Sequence, residues 1–83
     1  MVDHLYFVNN MKIQIYQNLI DHFGGQKNTA IAIGVEQPTV SGYLNGRWKM
    51  PPIVAIRAEK ATDGKFKAIE LCPSLKEFQT LTA

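Results

Sequence analysis

The chain has 83 residues, a mass of 9.3 kDa, a net charge of +2 and 46% hydrophobic residues. This length allows one domain and excludes doubly wound nucleotide-binding folds and barrel enzymes, the latter needing roughly 250 residues. The composition excludes a disordered chain, although the core must be small and dimerisation would add burial. A single cysteine and the absence of an apolar run near the roughly 20 residues of a membrane span predict a cytoplasmic protein without a membrane partner.

The positive charge is concentrated in one segment. Residues 47–67 contain six lysines and arginines against two acidic residues, a net charge of +4, whereas residues 1–46 and 68–83 each carry −1. Such a segment favours a polyanionic partner, and a solvated basic face explains it equally well. The charge alone therefore leaves the partner open.

The first helix is preceded by residues 1–11, which we interpret as a flexible N-terminal extension rather than a docked element. The predicted domain spans residues 12–75. Between Lys12 and Phe23 the apolar residues recur at i, i+3, i+4 and i+7, which predicts an amphipathic helix. Gly24 and Gly25 end this helix, because glycine readily adopts the left-handed conformation of a helix stop.

Residues 26–46 have the pattern of a helix-turn-helix unit. Its two helices must cross closely, and Ala30 provides the small side chain that this crossing needs. Gly34, four positions later, provides the turn, and Val40, six positions further, plugs the crossing. Pro38 lies in the first turn of the second of these helices, where its missing N–H is tolerated, and Asn45-Gly46 ends that helix.

A fourth helix is predicted from Pro51-Pro52 to about Thr62. The segment from Lys65 to Leu71 is compatible with a short fifth helix or with a strand, and residues 76–83 are interpreted as a tail. The apolar residues of this region either close the core or form a dimer interface, and a strand would allow dimerisation by edge pairing; they are Phe66, Ile69, Leu71, Leu75 and Phe78.

The motifs of the helix-turn-helix region carry a resemblance to a known family. Residues 24–26 read GGQ, residues 34–41 read GVEQPTVS and residues 43–46 read YLNG. Together with Pro51-Pro52 and residues 59–62, this pattern resembles Cro-type prophage repressors, and is closest to their YdaS-like branch. The resemblance covers roughly residues 12–75. It implies an all-α, λ-repressor-like domain of four to five helices in a bacterial, nucleoid-associated protein, which binds double-stranded operator DNA, usually as a homodimer.

The predicted DNA contacts follow from the geometry of a helix in the major groove, which presents its N-terminal residues and one face to the bases. Val40, Tyr43 and Leu44 face inward, so the other side chains of the helix remain for DNA. The predicted base contacts are Gln37, Pro38, Thr39, Ser41, Gly42 and Asn45. The predicted phosphate contacts are Gln26, Lys27, Arg47 and Lys49. Gln37 can pair bidentately with adenine, and Gly42 would allow close approach of the helix to DNA.

Some residues have two interpretations. Glu36 stands where the family commonly has a serine or threonine cap. Either it is a surface residue whose negative charge suits a helix N-terminus, or its carboxylate accepts a hydrogen bond from the N4 amino group of cytosine. Trp48 packs against the fourth helix or a dimer partner, or it stacks on nucleic acid. Gln26 contacts a phosphate or braces Gln37. Residues 72–74 also depart from the family pattern, which leaves the role of the C-terminal tail open.

The sequence has no constellation for catalysis or metal binding. His4 and His22 are eighteen residues apart, and Cys72 is alone, so no metal-ligand spacing exists. No serine or cysteine has a sequence-level partner for nucleophilic catalysis, so we expect no enzymatic activity and no cofactor.

The sequence therefore predicts a sequence-specific DNA-binding transcriptional regulator. It would be a phage or prophage Cro-like repressor that binds a palindromic operator through residues 37–45. The alternative is a YdaS-like toxin or antitoxin component, which acts through a protein partner and retains DNA binding for autoregulation.

Overall fold

The computed structural model describes residues 12–77, so the predicted N-terminal extension, most of the predicted tail and Phe78 lie outside the described part. The helices that lie wholly in this part are α1 Gln14–Phe23, α2 Gln26–Ile33, α3 Gln37–Leu44, α4 Pro52–Ala61 and α5 Ala68–Leu71, and residues 75–77 are helical as well. The all-α prediction is confirmed. The strand alternative for residues 65–71 is wrong because this segment contains α5, and residues 12–77 offer no strand for edge pairing.

Helix α2 lies at the centre of the fold, where it packs against α1, α3 and α4, while α5 packs against α4. Its buried residues Thr29, Ala30 and Ile33 face these neighbours. The core also contains apolar residues from every other helix and from the loop before α4, namely Tyr16, Leu19, Ile20, Val40, Tyr43, Leu44, Met50, Val54, Ala55, Ala58, Ala68, Leu71 and Cys72. No helix within residues 12–77 is long and apolar enough to cross a membrane.

The C-terminal region closes this core. Leu71 is fully buried, and Phe66 and Leu75 pack against the core cluster. The Tyr16 hydroxyl donates a 2.5 Å hydrogen bond to the Leu71 carbonyl, which fastens α5 to α1. Of the two interpretations of the C-terminal apolar residues, core closure therefore applies to Phe66, Leu71 and Leu75.

Helices α4 and α5 are joined by polar side chains as well as by packing. The Glu59 carboxylate accepts a 2.7 Å hydrogen bond from the backbone N–H of Ala68, at the start of α5. The buried Thr62 hydroxyl donates to the Ala58 carbonyl and accepts from the Phe66 N–H. These bonds satisfy backbone groups at the end of one helix and the start of the next, so the short α5 is held in place.

Candidate nucleic-acid interface

The turn between α2 and α3 consists of residues 34–36. Gly34 has a φ of +73° and ends α2, and its backbone N–H donates to the Ala30 carbonyl. Ala30 and Val40 are 5% and 2% exposed, on the helices that meet across this turn. These are the positions and conformations that the small–glycine–aliphatic pattern predicts, so α3 projects from a close and well-packed crossing with α2.

The start of this turn is bonded by a side chain of α4. Arg57 Nη1 lies 3.4 Å from the carbonyl oxygens of both Ile33 and Gly34, and donates a hydrogen bond to each. These carbonyls belong to the end of α2, where helix geometry leaves acceptors without a partner. One cation of the basic segment therefore stabilises the helix-turn-helix turn. This role could not be predicted from local sequence patterns, since the contact spans more than twenty residues.

Helix α3 begins with Glu36 as its N-cap residue, in an extended conformation. The Glu36 carboxylate is exposed and makes no capping hydrogen bond, which agrees with its interpretation as a surface residue. Gln37 follows, also exposed, and Pro38 occupies the first turn as predicted. The side chain of Gln26, at the start of α2, forms no hydrogen bond with Gln37 in the described part of the chain.

One face of α3 forms the wall of a cleft of about 480 Å³. Pro38, Ser41, Gly42 and Asn45 are spaced i, i+3, i+4 and i+7 and therefore lie on this face. The cleft is completed by Thr39 and by two residues from the loop after α3, Arg47 and Trp48. The structure thus brings five of the six predicted base-contact residues together with one predicted phosphate contact; Gln37 lies outside the cleft.

Gly42 differs from the sequence prediction. It is buried, because the Trp48 indole lies directly over it: a Cβ at this position would be 1.9 Å from Trp48 Cδ1 and 2.5 Å from Nε1. The backbone N–H of Trp48 also donates a 3.2 Å hydrogen bond to the Gly42 carbonyl. The space left by the missing side chain is therefore filled by the indole of the same chain, and close approach of DNA at Gly42 stays a prediction.

Trp48 has a different neighbour from those predicted. Its indole packs on α3, which was neither of the packing partners expected from the sequence, and 54% of the residue remains exposed. Sequence spacing could not identify this contact, because it depends on the path of the loop after Gly46, whose φ is +82°.

The predicted phosphate contacts lie at two places. Arg47 and Lys49 are exposed in the loop directly after α3, and Lys27 is exposed in the first turn of α2 beside the half-buried Gln26. None of the three cations forms an ion pair within residues 12–77, so their charges remain available. The side-chain oxygen Oδ1 of Asn45 accepts a 3.3 Å hydrogen bond from the Arg47 backbone N–H, so the Nδ2 hydrogens of Asn45 can donate to a ligand.

The crossing of α2 and α3, with an exposed polar face and cations beside it that form no ion pair within residues 12–77, defines a small helix-turn-helix protein. Comparison with known proteins gives the family. The model of the bacterial toxin YdaS family matches residues 16–78. The regulatory protein cro of Pseudomonas phage D3 is 53% identical over 60 residues, which are 72% of this chain and 82% of that protein. No solved structure matches the chain. The chain belongs to the YdaS family, and it is similar to a phage Cro protein.

Proposed function

We propose that this protein is a non-enzymatic, sequence-specific DNA-binding regulator of transcription, of the phage Cro type, which acts as a repressor. The observation that carries this proposal is the exposed face of α3, bordered by the exposed cation Arg47 and placed by the packed turn at Gly34. The relationship to a regulatory Cro protein supports it. In this proposal α3 is the recognition helix and lies in the major groove.

Base reading is assigned to neutral side chains of α3. Gln37, exposed in the first turn, can pair bidentately with adenine N6 and N7. Thr39 and Ser41 line the cleft and can bond either kind of base edge or a phosphate. Asn45 presents its free amide N–H groups and is suited to acceptors such as guanine O6 or a phosphate oxygen. Pro38 can contribute an apolar contact with a thymine methyl group.

Phosphate binding is assigned to residues on both sides of α3. Arg47 and Lys49 follow the recognition helix, and Lys27 with Gln26 precedes it on α2. Contacts on both sides would fix the angle of α3 in the groove, since phosphate contacts position a protein on the duplex without reading sequence. Arg57 is left out of this set because its guanidinium bonds the end of α2.

The operator is proposed to be palindromic and bound by a homodimer. Helix-turn-helix proteins of this size read two half-sites centred one helical turn apart, roughly 34 Å, so that a two-fold protein matches a two-fold site. A single small domain offers one recognition helix and few phosphate contacts, which favours pairing of two copies on DNA.

Selection of bound duplexes from a random pool tests this proposal most directly. The selected sequences should converge on a palindrome, and the affinity for it, measured by fluorescence anisotropy, should fall linearly with the logarithm of salt concentration. A reporter fused to a promoter overlapping that sequence should be silenced when the protein is expressed. Absence of any salt-dependent DNA binding by the folded protein would refute the proposal.

The family match favours a second candidate function. Because the family is that of the bacterial toxin YdaS, the chain can act in a toxin–antitoxin pair through a protein partner, with DNA binding serving autoregulation. Expression of the protein with its neighbouring genes, followed by affinity purification, tests this candidate. A stoichiometric partner retained by Gln37→Ala and Arg47→Ala variants would support it, and recovery of the protein without a partner would count against it.

A further inference from the structure

Trp48 occupies an unusual position for a large apolar side chain. The indole packs on the exposed face of α3 and yet the residue remains 54% exposed, in a loop between the exposed cations Arg47 and Lys49. Core closure does not explain it, since Trp48 lies outside the core cluster. Exposed indole surface beside exposed cations calls for a partner that is both anionic and in part apolar.

The structure holds the indole in place on α3. Gly42 provides the space, since a Cβ there would overlap the indole, and the bond from the Trp48 N–H to the Gly42 carbonyl fixes the backbone. The indole also lines the same cleft as Pro38, Ser41 and Asn45. A ligand that approaches the polar face of α3 therefore meets the indole as well.

We propose that Trp48 is a DNA-contacting residue, held on Gly42, that packs against carbon-bound hydrogens of the duplex while its neighbours Arg47 and Lys49 contact phosphates. This inference rests on the proposed function. Duplex DNA provides such apolar groups next to its phosphates in two places, the deoxyribose and the thymine 5-methyl group in the major groove. Stacking on a base is not required, because paired bases in an intact duplex are already stacked.

The experiment uses four full-length proteins: wild type, Trp48→Ala, Gly42→Ala and the double variant. Each is titrated against the selected duplex, labelled for fluorescence anisotropy, after circular dichroism has shown that it is folded at the assay temperature. We expect Trp48→Ala to weaken binding about tenfold, which corresponds to the loss of roughly 55 Å² of apolar surface covered by DNA at about 25 cal/mol per Å². Gly42→Ala should weaken binding similarly, because the new Cβ displaces the indole.

The double variant separates the two explanations of Gly42. If glycine is needed because it leaves room for the indole, Gly42→Ala should change the affinity for DNA little in the Trp48→Ala protein. If Gly42→Ala still weakens DNA binding in the Trp48→Ala protein, glycine is needed for the approach of DNA itself. The proposed role of Gly42 in holding the indole is then refuted. Ile31→Ala, which shortens an exposed side chain on α2, is the matched control and should bind as the wild type does.

Trp48 is also the only tryptophan of the chain, so its fluorescence reports this contact directly. Its emission should change as the duplex is added. Replacing thymines of the half-site by deoxyuridine identifies the apolar group that the indole contacts. If the wild type loses affinity on this replacement and Trp48→Ala does not, the contact is to a thymine methyl group. If neither protein loses affinity, the contact is to deoxyribose. Unchanged emission with full affinity in Trp48→Ala overturns the inference while DNA binding stands. Absence of any salt-dependent anisotropy change would instead refute the proposed function.

Discussion

Replacement of Gly34 by alanine tests how the turn before α3 is held. Gly34 has a φ of +73°, a conformation that strains an alanine by roughly 1–2 kcal/mol. An added Cβ would also lie 3.1 Å from Arg57 Nη1, so the guanidinium must move away from the carbonyls of Ile33 and Gly34. Weakening these two long hydrogen bonds adds about 1 kcal/mol. We expect Gly34→Ala to lower the free energy of unfolding by roughly 2–3 kcal/mol.

The matched control is Gly24→Ala at the end of α1. Gly24 has a similar φ of +85°, but a Cβ there would meet only Asn28 Nδ2, at an ordinary distance of 3.5 Å. This variant should therefore show the strain without the crowding. Thermal unfolding followed by circular dichroism measures both, since each kcal/mol lowers the midpoint of a domain this size by roughly 4–8 °C.

The same two glycine substitutions in an Arg57→Ala protein isolate the contribution of Arg57. In an Arg57→Ala protein there is no guanidinium to displace, so Gly34→Ala should be no more damaging than Gly24→Ala. Equal losses for the two glycine variants in the wild-type background would refute the reasoning about crowding. An excess for Gly34→Ala that persists without Arg57 would show that the turn is held by other contacts.

The remaining predictions concern recognition, phosphate contact and the core. Gln37→Ala should relax base preference and weaken binding to the selected site by roughly 1–3 kcal/mol, measured by anisotropy and repeated selection. Arg47→Ala should weaken binding to all sequences alike and reduce the salt slope by about one, whereas Lys60→Ala on α4 should leave the slope unchanged. Tyr16→Phe should lower the free energy of unfolding by about 1–3 kcal/mol, because the buried Leu71 carbonyl loses its donor. Burial raises the pKa of Tyr16 above its ordinary value of 10.0, so the hydroxyl ionises more easily in the unfolded chain than in the folded protein. The free energy of unfolding of the wild type should therefore fall as the pH rises past 10.0. Urea titrations should show that its difference from Tyr16→Phe shrinks over the same pH range.

Most of the helices could be predicted because their apolar residues recur at helical spacing and their ends carry glycine or proline. The periodic pattern of α1 and the stop at Gly24 are examples, and Gly34 has the left-handed conformation that the turn pattern requires. Helix α5 could not be separated from a strand because its four residues make about one turn, too few for a period to show. Its place depends instead on Glu59 and Tyr16, which are distant in sequence.

The candidate site was predictable as a face but not in its details. The buried positions of Val40, Tyr43 and Leu44 leave the opposite side of α3 exposed, as the sequence indicates. The packing of the Trp48 indole on Gly42 could not be predicted, because it depends on how the loop returns over the helix after residue 46. In the same way, a basic segment in the sequence shows how many cations are present. It does not show that one of them, Arg57, forms hydrogen bonds within the fold.

The distribution of charge bears on how the protein would bind an operator. Helix α3 contains no lysine or arginine, so the base contacts proposed for it would be made by neutral side chains. The cations placed beside the helix-turn-helix unit in each copy are Lys27, Arg47 and Lys49, which correspond to a salt slope of roughly −3. Two copies on one palindrome would double that slope and combine two sets of base contacts. Such pairing would compensate for a proposed recognition helix without basic side chains, and the apolar contact proposed for Trp48 would add affinity that salt does not screen.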